Sequence, residues 1–123
     1  MKQALLVFLG GGIGSTLRYI ISKNLNSIFP HFFLGTFLSN ILGCLIIGFI
    51  LGSFGEGKFL SENQVLLLSA GFCGGFTTFS AFAFENHSLL KSGAFLPLSL
   101  YLFSSILVGI FAVSAGIYLS RAF

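Results

Sequence analysis

Long uncharged runs alternate with short polar interruptions along this chain. Gln3–Leu17 carries no charge, and Arg18, Tyr19 and Lys23 close it. Leu25–Gly55 is uncharged, and Glu56, Lys58 and Glu62 then cluster in a polar stretch. Asn63–Phe84 is uncharged until Glu85, His87 and Lys91, and Ser92–Ser120 until Arg121. None of these runs shows the alternation of apolar and polar positions that barrel strands need. A helix needs about 20 apolar residues to cross a bilayer. The pattern predicts four transmembrane helices, over about 3–22, 33–53, 64–84 and 96–119, in one domain covering 1–123 with only short loops. Pro30 and Pro97 fall just before or inside span starts, where a missing N–H is tolerated.

Composition excludes the soluble alternatives. Of 123 residues, 55% are hydrophobic and only 7% charged, with a mean hydropathy of +1.01. Soluble domains carry roughly 25% charged residues, and a short chain has much surface for its volume. Neither a soluble domain nor a disordered chain fits. The net charge of +3 comes from scattered cations, so no basic patch points to nucleic acid. Cys44 and Cys73 lie in apolar runs without a CxxC, as buried inert thiols would. The first residues have the lysine and apolar stretch of a signal peptide. Gly10, Gly11, Gly12 and Gly14 interrupt that stretch and no AxA-like cleavage site follows, so a retained first span is expected.

The charges are balanced across the membrane. Arg18, Lys23 and Lys91 fall on one side, and Lys2, Lys58 and Arg121 on the other. Three cations against three give the positive-inside rule no preference. Either one cation dominates through its position, or the chain inserts both ways. Two opposed copies could then pair about a two-fold axis in the membrane plane, as inverted repeats do in transporters. Small residues recur every four positions at Gly10 and Gly14, at Gly35, Ser39 and Gly43, and at Gly48 and Gly52. Ser105 and Gly109, then Ala112, Gly116 and Ser120, continue the pattern. This spacing lets helix backbones approach closely, and packing is the expected role of most of these glycines.

The polar residues inside the spans carry the candidate chemistry. Arg18 either snorkels to the interface or draws anions into a vestibule. Asn40, a third of the way into the second span, either bonds a neighbouring helix or lines a polar path. The third span holds SAGFCGGFTTFSAFAFE, residues 69–85. Gly71, Gly74 and Gly75 followed by Thr77, Thr78 and Ser80 can break a helix near its centre. Such a break is tolerated only against protein or a cavity, where freed carbonyls can bind a cation and freed N–H groups face an anion. Phe72, Phe76, Phe79 and Phe82 recur at helical spacing. They either face lipid and neighbouring helices or turn positive ring edges toward an anion. Tyr101, Ser104 and Ser105 place hydroxyls on the fourth span. No carboxylate lies at mid-depth, as a proton-coupled cation transporter usually requires. No nucleotide loop, catalytic triad or metal cluster appears, so an enzyme is not expected, and GGGIG lacks a strand–turn–helix setting.

GGGIGSTLRY (10–19), GTFLSNILG (35–43) and GFCGGFTTFSAF (71–82) resemble, in order and spacing, the three signature stretches of the fluoride channel family, Fluc or CrcB. The resemblance covers nearly the whole chain. It implies a dual-topology, antiparallel homodimer with two fluoride pores and a sodium ion at the dimer centre. By motif, the sodium-binding backbone carbonyls are those of Gly74 and Thr77. The pore asparagine is Asn40, the paired phenylalanines are Phe79 and Phe82, and Tyr101 and Ser105 match the fourth-span tyrosine and serine. Arg18 and Glu85 match the vestibule arginine and the acidic residue after the third motif. Ser15 stands where alanine is common. Ala81 and Gly109 replace hydroxyls found in relatives, which thins the polar track.

The expected protein is thus a passive fluoride channel of the cell membrane that exports cytoplasmic fluoride. Asn40, Ser80, Ser105 and the two phenylalanines are its expected ion contacts. The competing expectation is a small dual-topology drug or cation transporter. That class would place an acidic residue in the first span, where this chain has Arg18 instead.

Overall fold

A computed structural model describes all residues, 1–123, and is helical almost throughout. Helix α1 is Lys2–Leu25 and α2 is Leu34–Gly55. The third span, Glu62–Lys91, is composite. It comprises α3 (Glu62–Val65), a π-helical stretch Leu66–Cys73, α4 (Gly74–Phe76) and, after two extended residues, α5 (Phe79–Lys91). Helix α6 is Phe95–Ala122. All four spans are long and apolar enough to cross a membrane. This is a multi-pass membrane protein, with large apolar side chains such as Phe8, Phe103 and Phe111 turned outward.

Local sequence sets the helix ends. Ser61 and Gln64 form a reciprocal capping box at the start of the third span: the Gln64 N–H donates to Ser61 Oγ at 3.4 Å and the Ser61 N–H to Gln64 Oε1 at 2.9 Å. Gly93, at φ 74°, reverses the chain after α5 so that the Ala94 N–H reaches the Leu89 carbonyl at 3.0 Å.

Small residues decide which helices pack. A Cβ on Gly10 would run into the Leu67 carbonyl and the Phe72 N–H, and one on Gly14 into the Phe72 carbonyl. The Gly10/Gly14 pair therefore seats α1 directly on the backbone of the third span. On the opposite side, a Cβ on Gly48 would strike the Val113 carbonyl and one on Gly116 the Leu45 carbonyl, which joins α2 to α6. The buried positions of α2 and α6 include Gly35, Ser39, Gly43 and Gly48, and Gly109, Ala112, Gly116 and Ser120. Lys58 Nζ donates to the Ser120 carbonyl at 2.6 Å, and Arg121 Nε lies 3.5 Å from Glu56 Oε1. These contacts tie the α2–α3 loop to the end of α6.

The third span runs to Lys91, seven residues past the boundary that Glu85 suggests in the sequence. The reason is that Glu85 does not mark the water interface. It is 7% exposed and turns inward among α2, α5 and α6.

Candidate functional site: the break in the third span

The helix breaks at Thr77 and Thr78, whose φ/ψ of −86°/158° and −149°/119° are both extended. Two extended residues cost the ladder its regular partners, and each freed group needs another. Asn40 of α2 supplies two of them. Its Oδ1 accepts the Thr78 N–H at 2.7 Å, and its Nδ2 donates to the Thr78 carbonyl at 3.2 Å. One side-chain amide thus stands in for a backbone rung. A Cβ on Gly43, three residues on, would occupy the place of Thr77 Cγ2, so Gly43 makes the room in which the break sits. Thr78 Oγ1 then accepts the Ala81 N–H at 3.2 Å and starts α5 as a side-chain cap.

Arg18 serves the same break from the other side. Its Nε donates to the Gly75 carbonyl at 3.0 Å, and Ser15 Oγ to the same oxygen at 3.4 Å. The Cys73 carbonyl is taken by the N–H and the hydroxyl of Thr77, both at 2.9 Å. That leaves the Gly74 and Thr77 carbonyls, to which no donor is bonded. Both residues line a cavity of about 600 Å³ together with Asn40, Cys44, Cys73 and Phe79.

A second cavity, of about 470 Å³, lies between α2, α5 and α6. Asn40, Phe79, Phe82 and Ser105 meet there, with Ala83, Asn86, Leu102 and Ile106. The Phe79 and Phe82 ring centroids are 6.2 Å apart and their planes are tilted by 49°. Phe82 is 8% exposed, whereas Phe79 is 80% exposed and projects from the chain. Ser105 Oγ is buried and has no hydrogen-bond partner.

Tyr101 and Glu85 belong to a buried chain of hydrogen bonds beside this cavity. Tyr101 OH donates to Glu85 Oε2 at 2.6 Å, and Thr36 Oγ1 donates to Glu85 Oε1 at 2.6 Å. Asn26 fixes Thr36 in turn: its Nδ2 donates to Thr36 Oγ1 at 3.1 Å and its Oδ1 accepts the Thr36 N–H at 3.0 Å. With that lone pair occupied, the single Thr36 hydroxyl proton is committed to Glu85. Phe32, Phe33 and Phe82 surround the Tyr101 ring with centroids 5.2–5.6 Å away.

The structure therefore brings Asn40, Phe79, Phe82 and Ser105 to one cavity, and Gly74 and Thr77 to the other. It places Arg18 on the Gly75 carbonyl, and it places Glu85 and Tyr101 in the packed interior. Ser80 lies outside both cavities, with its Oγ 3.4 Å from Thr78 Oγ1. Thr36, Asn26 and Asn86 were not singled out from the sequence. The signal for two of them is present as spacing. Thr36 lies four residues before Asn40, and Asn86 four residues after Phe82, each on the face of a residue already singled out.

Comparison with known proteins gives one consistent set of relatives. The family described as CrcB-like protein, Camphor Resistance (CrcB), matches residues 5–117. A fluoride-specific ion channel FluC of Bacteroides fragilis is 47% identical over 128 aligned positions, covering 100% of this chain and 99% of the relative. The protein of that name in Azobacteroides pseudotrichonymphae is 42% identical over 124 positions, covering 100% and 99%. That of Gloeothece citriformis is 43% identical over 122 positions, covering 98% of each.

Proposed function

This chain belongs to the CrcB-like family, and on that premise we propose that it is a fluoride-selective channel that lets the ion leave the cytoplasm passively. The observation that carries the proposal is the smaller cavity, whose lining brings together Asn40, Ser105 and the two phenylalanines Phe79 and Phe82. Fluoride is small and strongly hydrated. A pore for it must replace water with N–H and O–H donors and with the positive edges of aromatic rings. The cavity has these and no fixed cation, so nothing there holds the ion too tightly to leave. Outside the cell, HF crosses the bilayer as a neutral acid and dissociates inside, which traps fluoride. A channel removes it down its electrochemical gradient, with no coupled reaction.

Liposomes containing the purified protein and loaded with fluoride provide the test. A fluoride electrode should record efflux well above that of protein-free vesicles, with chloride-loaded vesicles retaining their ion. Efflux no faster than from empty vesicles would remove the proposal.

The working unit in this proposal is an antiparallel homodimer. Two features support it: the three-to-three division of cations, and the exposure of Phe79 and the larger cavity in a single chain. The Gly74 and Thr77 carbonyls fit a shared sodium ion. They are hard oxygen donors freed by the break and claimed by no N–H. Supplied by both chains, they would hold the ion at the centre and staple the subunits. Exchange of sodium for N-methylglucamine on both sides should abolish fluoride efflux or shift the protein from dimer to monomer in detergent. Full efflux and an intact dimer in strictly sodium-free buffer would refute the site.

A further inference from the structure

The carbonyls freed by the break divide between two faces. In an unbroken helix the Gly74 carbonyl would meet the Thr78 N–H, the Gly75 carbonyl the Phe79 N–H and the Thr77 carbonyl the Ala81 N–H. The break sends the Thr78 and Ala81 N–H groups to Asn40 Oδ1 and Thr78 Oγ1 instead. Gly74 and Thr77, three residues apart, both line the larger cavity. Gly75 faces α1, where a Cβ would strike the Gly11 carbonyl. Its own carbonyl accepts from Arg18 Nε at 3.0 Å and Ser15 Oγ at 3.4 Å. The Arg18 guanidinium thus caps the negative end of the first half of the span, one peptide unit from the Gly74 carbonyl. No carboxylate offsets its charge. Glu56 pairs with Arg121, Glu85 is bonded to Thr36 and Tyr101, and the larger cavity has no acidic residue in its lining.

We propose that Arg18 is a specificity-determining residue of the sodium site: its fixed positive charge makes the freed Gly74 and Thr77 carbonyls accept a monovalent cation and refuse a divalent one. Size cannot make this distinction, because Ca²⁺ is close to Na⁺ in radius and hard carbonyl oxygens suit both. Charge can make it. At an effective dielectric near 20, one guanidinium about 8 Å away weakens a monovalent guest about thirtyfold and a divalent one about a thousandfold. In the antiparallel dimer each chain supplies one guanidinium, so the penalty acts twice. With only neutral carbonyls to offset that penalty, the divalent ion stays in water. The inference deepens the sodium proposal and rests on it.

The test is the melting temperature of the purified full-length protein in detergent, titrated with sodium chloride or calcium chloride against N-methylglucamine at constant ionic strength. Sodium should stabilise the wild type and calcium should not. Arg18→Gln removes the charge and keeps an amide that can donate to the Gly75 carbonyl. Its half-maximal sodium concentration should fall at least tenfold, and calcium should now stabilise it. Arg18→Lys, which keeps the charge, should retain the wild-type preference. Ser15→Asp reaches the same end by a second route, since a carboxylate three residues before Arg18 pairs with it in place. This variant too should admit calcium, so the decision does not depend on one variant folding. Continued exclusion of calcium by both the glutamine and the aspartate variants would overturn the role of Arg18 and leave the sodium site standing. Weaker sodium binding by Arg18→Gln would also overturn it, because Arg18 would then serve only the geometry of the break. A wild type that melts at the same temperature with and without sodium would overturn the sodium site, and this inference with it.

Discussion

Asn40→Asp should abolish fluoride efflux while the protein still folds. The carboxylate introduced by this exchange can keep the stronger of the two contacts at the break, because it still accepts the Thr78 N–H that Asn40 Oδ1 takes at 2.7 Å. It cannot donate to the Thr78 carbonyl, and it puts a negative charge on the wall of both cavities. At an effective dielectric near 20, two like charges about 4 Å apart repel by about 4 kcal/mol. This corresponds to at least a hundredfold loss of flux. Asn40→Leu makes the contrast. It orphans the Thr78 N–H and carbonyl together, at about 1–3 kcal/mol each. Its main effect should be a lower melting temperature, with efflux lost as a consequence. A folded Asn40→Asp protein that conducts at the wild-type rate would leave Asn40 as a structural clamp only.

Phe79→Ile should reduce efflux about tenfold while each chain keeps its fold, because it removes a ring quadrupole and little packing within the chain. Phe79 is 80% exposed in the single chain, so isoleucine loses few contacts within it. Volume-conserving apolar exchanges usually cost under about 1.5 kcal/mol even in a core. Phe82→Ile is a less clean probe, since Phe82 is buried against the Tyr101 ring at a centroid distance of 5.3 Å. Phe95→Ile, at an exposed position outside the third motif, serves as the control. Equal, wild-type-like efflux from the Phe79 and Phe95 variants would leave the ring edges without a role in the ion path.

The helices were legible in the sequence because charge interrupts hydrophobicity at only a few points, and Lys23, Glu56, Lys58 and Lys91 lie close to the turns between spans. The four-residue spacing of small side chains was equally direct, since Gly10, Gly14, Gly48 and Gly116 sit where backbones touch. GGFTT announced a break because glycines and threonines are poor at holding a helix that must satisfy itself. Other features depend on partners distant in sequence. Glu85 looks like an interface residue until Thr36 and Tyr101 are folded against it. Arg18 looks like a vestibule charge until the Gly75 carbonyl, 57 residues away, is freed to meet it. The π-helical stretch Leu66–Cys73 is a shift in backbone register, and the side-chain pattern does not encode such a shift.

The Asn40–Thr78 clamp also bears on how the protein is made. The third span is two half-membrane pieces, Glu62–Phe76 and Phe79–Lys91. At about 1.5 Å per residue, each is roughly 20 Å long and falls short of a hydrocarbon core about 30 Å thick. Entering lipid alone, the junction would expose backbone N–H and C=O groups where no water can serve them, at several kcal/mol each. Synthesis proceeds from the N-terminus, so α2 is complete and Asn40 is in place before Thr78 leaves the ribosome. The earlier segment acts as a built-in template for the later one, and the order of translation doubles as the order of assembly.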